Sequence, residues 1–411
     1  MGYVATKGGT EAVLKAEQLV EYFRLRGESE PIRIEQIQDQ FRLAVDRAMG
    51  EGSLYAPALA ALALKQSEGD AVEASFLLRA YRSTLPRLSY SLPTSGARMR
   101  AIRRISSTFK DIPGGQLLGP TRDYQPRLLN TLLNHESSQT VRRYLADFEA
   151  QVRQNSPSDG QVGYFPKVIE SMRAQGIMAE AEKGAEEEEP FDVTRKAISF
   201  PAPRSVRLQI LTRGDNGSLL AFAYSSIRGY GDVHPTLGEM RVGYLPVEVN
   251  HPLTGEVVEI GEILATECEM VSRVKSTNEA EEESSPKFGL GYGFSFGHGE
   301  DKAVSMAILD RVLSASKAGK LHGQSGPAAN EEFVLLHVDA IEASGFTAHY
   351  KLPHYVTFQA DIRVLERAKD HATAKSAESA EKHRRFRQKL ALPTEADEVE
   401  RIMPDNGEDE G

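Results

Sequence analysis

The apolar residues of this chain change period partway along it, and that change limits the fold more than any other feature. From Thr10 onward, Val13, Ala16, Leu19, Val20 and Phe23 recur at helical spacing until Gly27. Ser29-Glu30-Pro31 then opens a second helical stripe of Ile34, Ile37, Phe41, Val45 and Ala48, closed by Gly50 and Gly52. Residues 54–65 and 70–82 continue in the same manner. Further on, β-branched and alternating runs take over at 206–211, 219–225, 240–249 and 257–274, the pattern of antiparallel strands. Helical patterning returns over 301–317, with Val304, Ile308, Val312 and Leu313 on one face, and over 331–344.

The expected fold class is therefore α+β: a helical amino-terminal region followed by a mainly antiparallel sheet with flanking helices. The expected domains are a helical one over 1–125, a helical connector with an acidic loop over 126–190, an α+β domain over 191–368, and a mobile tail with one marginal helix over 369–411. A strand over 102–109 is expected to lead into the first functional loop. Two segments, 180–190 with its four consecutive glutamates and the Glu- and Ser-rich 276–286, cannot bury enough apolar surface to order themselves and read as exposed loops. With 411 residues, 40% hydrophobic and 26% charged, the chain is globular rather than disordered or fibrous.

Charge and cysteine content remove several functions. A net charge of −10 disfavours nucleic-acid or anionic-membrane binding by the whole surface. No apolar run reaches the roughly 18 residues of a membrane span, and residues 1–13 lack the apolar region of a secretory signal, so a cytoplasmic location is expected. Cys268 is the only cysteine. It excludes an internal disulfide, an iron–sulfur cluster or a Cys-rich zinc site carried by this chain alone.

Seven places could carry chemistry. Lys110-Asp111-Ile112-Pro113-Gly114-Gly115-Gln116 sets a cation, a carboxylate and an amide beside two glycines, which suits either a sugar-binding loop or a plain turn. Just upstream, Arg100, Arg103 and Arg104 fit either phosphate contacts or a solvated face. The glycine-rich Gly289-Leu290-Gly291-Tyr292-Gly293, followed by Gly297-His298-Gly299 and a helix start, fits a phosphate site or a glycine-rich strand and turn, but lacks the Lys-Ser/Thr ending of a P-loop. Arg228-Gly229-Tyr230-Gly231 and Arg213-Gly214-Asp215 are smaller loops of the same kind. Glu267 and Glu269 flank Cys268, and in a strand both carboxylates share one face, either as an acid–base pair or as an exposed acidic face. His349 and His354 bracket Pro353, which can turn both imidazoles toward one zinc ion, although two ligands alone do not complete a site.

Taken in order, several long motifs resemble one family. Residues 1–9, Leu62-Ala63-Leu64-Lys65-Gln66, the Phe76–Arg82 stretch and Asp111–Pro120 are similar to subunit I of the bacterial carbon–phosphorus lyase core complex. So are Arg228–Gly231, Thr266–Met270, Glu331–Leu335 and Lys351–Val356. The resemblance spans about residues 1 to 368, and nothing is carried over to the tail. It implies a subunit that, with partners G, H and L, moves the ribose triphosphate of ATP from adenine onto methylphosphonate, and that alone acts as a purine nucleosidase. It further implies association with the iron–sulfur subunit J, with ATP-binding-cassette-type subunits K and L, and a zinc ion near the shared interface on His349 and His354. Magnesium is expected with the ATP.

Breaking a glycosidic bond develops positive charge on the ribose and negative charge on the leaving base. The expected sugar-side carboxylates are Asp111, Glu267 and Glu269. The expected substrate-binding set is Lys110, Gly114, Gly115, Gln116, Arg228, Gly291 and Gly293. A noncatalytic scaffold that positions the iron–sulfur subunit is the rival reading, and release of free adenine from ATP separates the two.

Overall fold

Local signals place most of the helices. In the computed structural model the described residues are 8–155, 164–179, 191–228, 234–274, 287–317, 326–351 and 355–389. The expected acidic loops at 180–190 and 276–286, the Gly229–Gly231 part of the Arg228 loop, and His354 lie outside them. The chain divides into two compact units, residues 24–345 and the pairing of 1–23 with 346–411.

Within 24–345, the amino-terminal helices are α2 (Ile34–Gln40), α3 (Arg42–Gly52), α4 (Pro57–Gln66) and α5 (Ala71–Ser83). They follow α1 (Gly9–Leu25). Pro57 sits at the first position of α4, where its missing N–H costs nothing. Asp70 caps α5 by accepting from the Val72 and Glu73 amides at 2.9 and 3.1 Å. The single helix expected through 34–48 is two: Phe41 takes non-helical angles between α2 and α3 and is exposed, while Ile37, Val45 and Ala48 enter a common core with Ala60, Leu64 and Leu78. α3 also continues through Gly50 and Gly52, ending on Ser53 with φ 55°.

The sheet has four antiparallel strands in the order β1 (Arg100–Ile105), β2 (Thr236–Asn250), β3 (Val257–Arg273) and β4 (Phe288–Phe296). β1 stops at Ile105, short of the expected Phe109. β2 pairs with β1 only as far as Tyr244, so Pro246 falls where one side of β2 has no ladder to break.

Two expected strands are helices. Residues 206–211 belong to α8 (Arg204–Arg213) and 219–225 to α9 (Asn216–Arg228). Short apolar runs do not distinguish the two states by themselves. Here Leu219, Ala223 and Ser226 are buried at spacings of four and three, which only a helix turns to one side. The expected helix 331–344 is likewise two, Glu331–His337 (α11) and Ala340–Ala348 (α12), with Asp339 accepting from the Ile341 amide at 3.0 Å where the second begins.

The sheet carries a different layer on each face. α10 (Glu300–Lys317) lies on one face with α8 and α9, enclosing Met240, Cys268, Met270, Met306 and Leu309. α7 (Val168–Ala174) lies on the other, where Val168, Ile169 and Met172 pack with Ile112 and Val271.

The glycine-rich stretch is the track on which α10 sits. A Cβ at Gly289 would come within 2.8 Å of the Arg311 side chain, one at Gly291 within 2.1 Å of the Ala307 carbonyl, and one at Gly293 within 1.8 Å of the Ala303 carbonyl. Alternate strand residues advance about 6.6 Å and one helical turn about 5.4 Å, so glycines two apart meet helix positions four apart. Of the two sequence readings, the strand is the observed one.

α6 (Ser138–Asn155) turns Val141, Leu145, Phe148 and Val152 to one side, all of them exposed. In the other unit the carboxy-terminal segment forms α13 (Tyr355–Lys389), much longer than a marginal helix, with Glu378–Lys382 and Glu381–Arg385 pairs four residues apart.

Candidate functional site: a buried charge network behind a glycine loop

The loop after β1 is held from behind. Ile112-Pro113-Gly114-Gly115 closes a turn with the Gly115 amide on the Ile112 carbonyl at 2.8 Å, and Gly114 has φ 81°. Proline at the second position and positive φ at the third define a type II turn. A Cβ at Gly114 would also strike Phe165, at 2.3 Å. Gln116 closes the loop through its amide, donating to the Lys110 carbonyl at 3.0 Å and accepting from the Ser106 amide at 3.2 Å. Lys110 and Asp111 are exposed.

Arg104 anchors this loop to the sheet. It is fully buried, and Nη1 donates to the Pro113 and Gly115 carbonyls at 2.6 and 2.8 Å. Nη2 donates to the Pro166 carbonyl at 3.0 Å, and Nε pairs with Glu239 of β2. Arg241 also pairs with Glu239, at 2.8 Å, and donates to the carbonyls of Gly96, Phe165 and Pro166 at 3.1, 3.0 and 2.9 Å. The second oxygen of Glu239 accepts from the Val168 amide at 2.9 Å.

Beside them, Lys167 Nζ bridges the two carboxylates of β3, 2.9 Å from Glu267 and 2.7 Å from Glu269. The Tyr292 hydroxyl donates to Glu267 at 3.0 Å. Three cations and three carboxylates thus form one network that runs from the 110–116 loop to β4.

The expectation that Glu267 and Glu269 share a face holds, but that face is buried rather than solvated. One ammonium serves two carboxylates. Burial, opposed by Lys167 and reinforced by Glu267, pushes the Glu269 carboxyl up to about 7. For Lys167 the two carboxylates outweigh burial and raise its pKa. Burial and the flanking glutamates raise the Cys268 thiol, which therefore stays protonated on the α10 side of the strand.

The neighbouring arginines are both engaged in ion pairs within the chain. Arg103, 1% exposed, pairs with Asp123 and with Glu300, the latter at 2.9 Å. Arg100 is half-exposed, paired with Glu262 at 2.8 Å and stacked on Tyr244.

The other expected site residues fall elsewhere. Gly291 and Gly293 face the α10 backbone. Arg228 ends α9, exposed, over the Tyr224 ring. His298, in the turn before α10, meets Asp46 through Nδ1 at 3.1 Å. His349 lies in a turn of the unit that contains 346–411, its Nδ1 against the Phe346 carbonyl and its ring 4.2 Å from that of Tyr350. No group of three or more metal-ligating side chains occurs among the described residues.

Sequence reasoning missed Lys167 and Arg241. The signal was partial: adjacent Arg103 and Arg104 in a strand must point to opposite faces, and a sheet covered on both faces has to bury both.

Helical layers on both faces of an antiparallel sheet, with a loop fixed by buried charges, make this an α+β protein built around a charge network. The sequence model described as "Bacterial phosphonate metabolism protein (PhnI)" matches residues 2–372, and the chain belongs to that family. It is 49% identical over 376 residues to "Putative C-P lyase subunit protein HtxH" of Stutzerimonas stutzeri, covering 91% of this chain and 98% of the relative. It is 47% identical over 369 residues to "Alpha-D-ribose 1-methylphosphonate 5-triphosphate synthase subunit PhnI" of Escherichia coli (strain K12), covering 89% and 98%. The Rhizobium meliloti (strain 1021) protein of the same name is 43% identical over 381 residues, covering 91% and 97%. Among the described residues no helix is long and apolar enough to cross a membrane.

Proposed function

We propose that this chain, in the cytoplasm and within a hetero-oligomer, moves the ribose 5-triphosphate of ATP from adenine onto methylphosphonate, and that alone it hydrolyses purine nucleotides. The observation that carries this reading is kinship: two relatives matched over at least 97% of their length are named as a synthase subunit for that product. In the reaction the ribose C1′–N9 bond breaks and its electron pair leaves with the base, which takes up a proton. A phosphonate oxygen forms the new bond at C1′, and in hydrolysis water takes its place.

The carboxylate of Asp111, exposed on a loop whose backbone Arg104 fixes, is suited to stabilise the cationic ribose. Glu267 and Glu269 share one lysine, and burial raises the Glu269 carboxyl, which suits a proton held on Glu269 rather than direct contact with the sugar. Lys110, Gly114, Gly115 and Arg228 remain candidates for phosphate contact, with magnesium accompanying the ATP. The amide of Gln116 is engaged inside its loop, and Gly291 and Gly293 are engaged with α10, so these three act by positioning.

Assembly with subunits G, H and J, and with K and L, is favoured by exposed apolar surface among the described residues: one face of α6 and Leu128, Leu129 and Leu132 just before it, Leu129 being 91% exposed. His349, in a turn of the other unit, and His354 are the pair proposed to hold zinc. Zinc there would polarise a phosphonate oxygen.

The test is adenine release from ATP and methylphosphonate by the purified complex. Asp111→Asn is expected to lower kcat about 10- to 100-fold with KM nearly unchanged, as for a group acting in the transition state. Unchanged turnover by the folded variant removes Asp111 from the mechanism. No adenine from the wild-type complex overturns the reading.

A further inference from the structure

Two sequence features that the carboxylate network does not use, the Phe76–Arg82 stretch and the Arg213-Gly214-Asp215 loop, meet at one cavity. Its volume is about 410 Å3, and it lies beside β4, the outer strand of the sheet. That is within the size range of small-ligand sites.

The cavity is rich in guanidinium groups. Arg82, Arg87 and Arg213 line it, and Arg79 and Arg195 lie close enough to act on Arg82 electrostatically. Three of these charges are answered: Arg79 pairs with Asp339 at 2.6 Å, and Arg87 and Arg195 pair with Asp192 at 2.6 and 4.0 Å. Arg82 and Arg213 have no ion-pair partner among the described residues. Among the described residues Arg213 Nε is buried without a hydrogen bond, and the side chain makes one long bond, from Nη1 to the Val193 carbonyl at 3.4 Å. Burial first, and then the neighbouring guanidiniums, lower the pKa of both. Burial opposes ionisation of Asp192, yet its hydrogen bonds from Thr194 and the guanidiniums of Arg87 and Arg82 hold it below the ordinary carboxylate range.

Two partly buried guanidiniums without a direct ion pair, whose acidic neighbours do not offset burial, are costly, and a polyanion relieves that cost. Planar guanidinium forks match phosphate oxygens in pairs. The remaining wall is apolar, with Phe191, Leu208, Phe294 and Met306, and suits a planar base. Tyr292 also lines the cavity, and its hydroxyl donates to Glu267, so the cavity adjoins the carboxylate pair.

We infer that this cavity receives the purine nucleoside triphosphate, with its phosphates on Arg82 and Arg213 and its base against the apolar wall. The inference rests on the ribosyl-transfer reading above and supplies the phosphate ligands which that reading leaves open.

Two measurements test it. The first is calorimetric titration of the full chain with inorganic tripolyphosphate, and the second is KM for ATP in the assembled complex. Arg82→Gln and Arg213→Gln should each raise the tripolyphosphate Kd about tenfold or more, as loss of a charged phosphate contact does. KM for ATP should rise by a similar factor, while Lys382→Gln on the exposed surface of α13 changes neither. Both variants should melt no lower than wild type without ligand, because an unpaired charge has been removed.

Unchanged tripolyphosphate affinity in both folded variants overturns the cavity as an anion site. Weakened tripolyphosphate binding with unchanged KM for ATP overturns it as the substrate site. If tripolyphosphate binding is lost in the variants while even the wild-type complex releases no adenine, the anion site stands and the transfer reading fails.

Discussion

Replacing Arg104 should unfasten the 110–116 loop and destabilise the domain together. In Arg104→Met the aliphatic volume is roughly kept, while the pair with Glu239 and the bonds to the Pro113, Gly115 and Pro166 carbonyls are lost. Removing one partner of a buried ion pair typically costs about 3–5 kcal/mol. Here Glu239 keeps Arg241 at 2.8 Å and the Val168 amide at 2.9 Å, which moves the cost toward the lower end. Pro113 and Gly115 are exposed, so water can reach their carbonyls and offset part of the lost bonding. The expected loss is about 3–4 kcal/mol, several hundred-fold in the unfolding equilibrium. Urea unfolding followed by circular dichroism measures it, and hydrogen exchange at the Gly115 amide reports the loop separately. Arg104→Lys should recover only a minor part, since it keeps the charge but not the fork. Arg100→Met, on the same strand but at the surface, should leave the midpoint nearly unchanged. An Arg104→Met protein within about 1 kcal/mol of wild type, with Gly115 exchange unaltered, would refute the argument that this arginine holds the loop.

Glu269 sets a pH dependence. Its folded-state pKa lies above the unfolded value, so its contribution to stability is complete below the unfolded pKa and is lost as pH rises through about 7. Glu269→Gln should flatten unfolding free energy between about pH 5 and pH 8, by no more than about 3 kcal/mol, and a variant with the wild-type slope disproves the assignment. The two glycine motifs should answer alanine differently. Gly291→Ala, whose Cβ would lie 2.1 Å from the Ala307 carbonyl, should cost about 3 kcal/mol by overpacking. Gly115→Ala meets nothing within 4 Å and should cost only about 1–2 kcal/mol, for its φ of 79°. Equal melting points for the two variants would contradict the packing role of Gly291.

Much of the architecture was legible because its signals are local. The helices over 70–82 and 301–317, the Pro113-Gly114 turn and the strand pattern along 257–273 each depend on neighbours within a few residues, and each appears where the sequence placed it. Residues 206–211 and 219–225 were misread because a largely apolar run of six or seven residues fits a strand and a helix equally well, and packing against α10 selects between them. The candidate site divides the same way. The sequence identified the 110–116 loop and put Glu267 and Glu269 on one strand face. Their burial, and their sharing of Lys167 from 100 residues away, could not be read locally.

The sequence by itself determined the α+β class, the antiparallel sheet, the turn at Pro113-Gly114 and the family, all of which depend on short-range stereochemistry or on ordered motifs. Only the tertiary structure decided which charges are buried, because burial depends on what covers a face and not on the residue that occupies it. It turned Arg103 and Arg104 from surface cations into buried partners, Gly291 and Gly293 from loop candidates into the bed of a helix, and Arg82 and Arg213, 131 residues apart, into neighbours on one cavity. The physical reason is that a charge in water is nearly indifferent to its sequence neighbours. Once desolvated, it must find a counter-charge wherever the fold brings one, or keep a place for a ligand that supplies it.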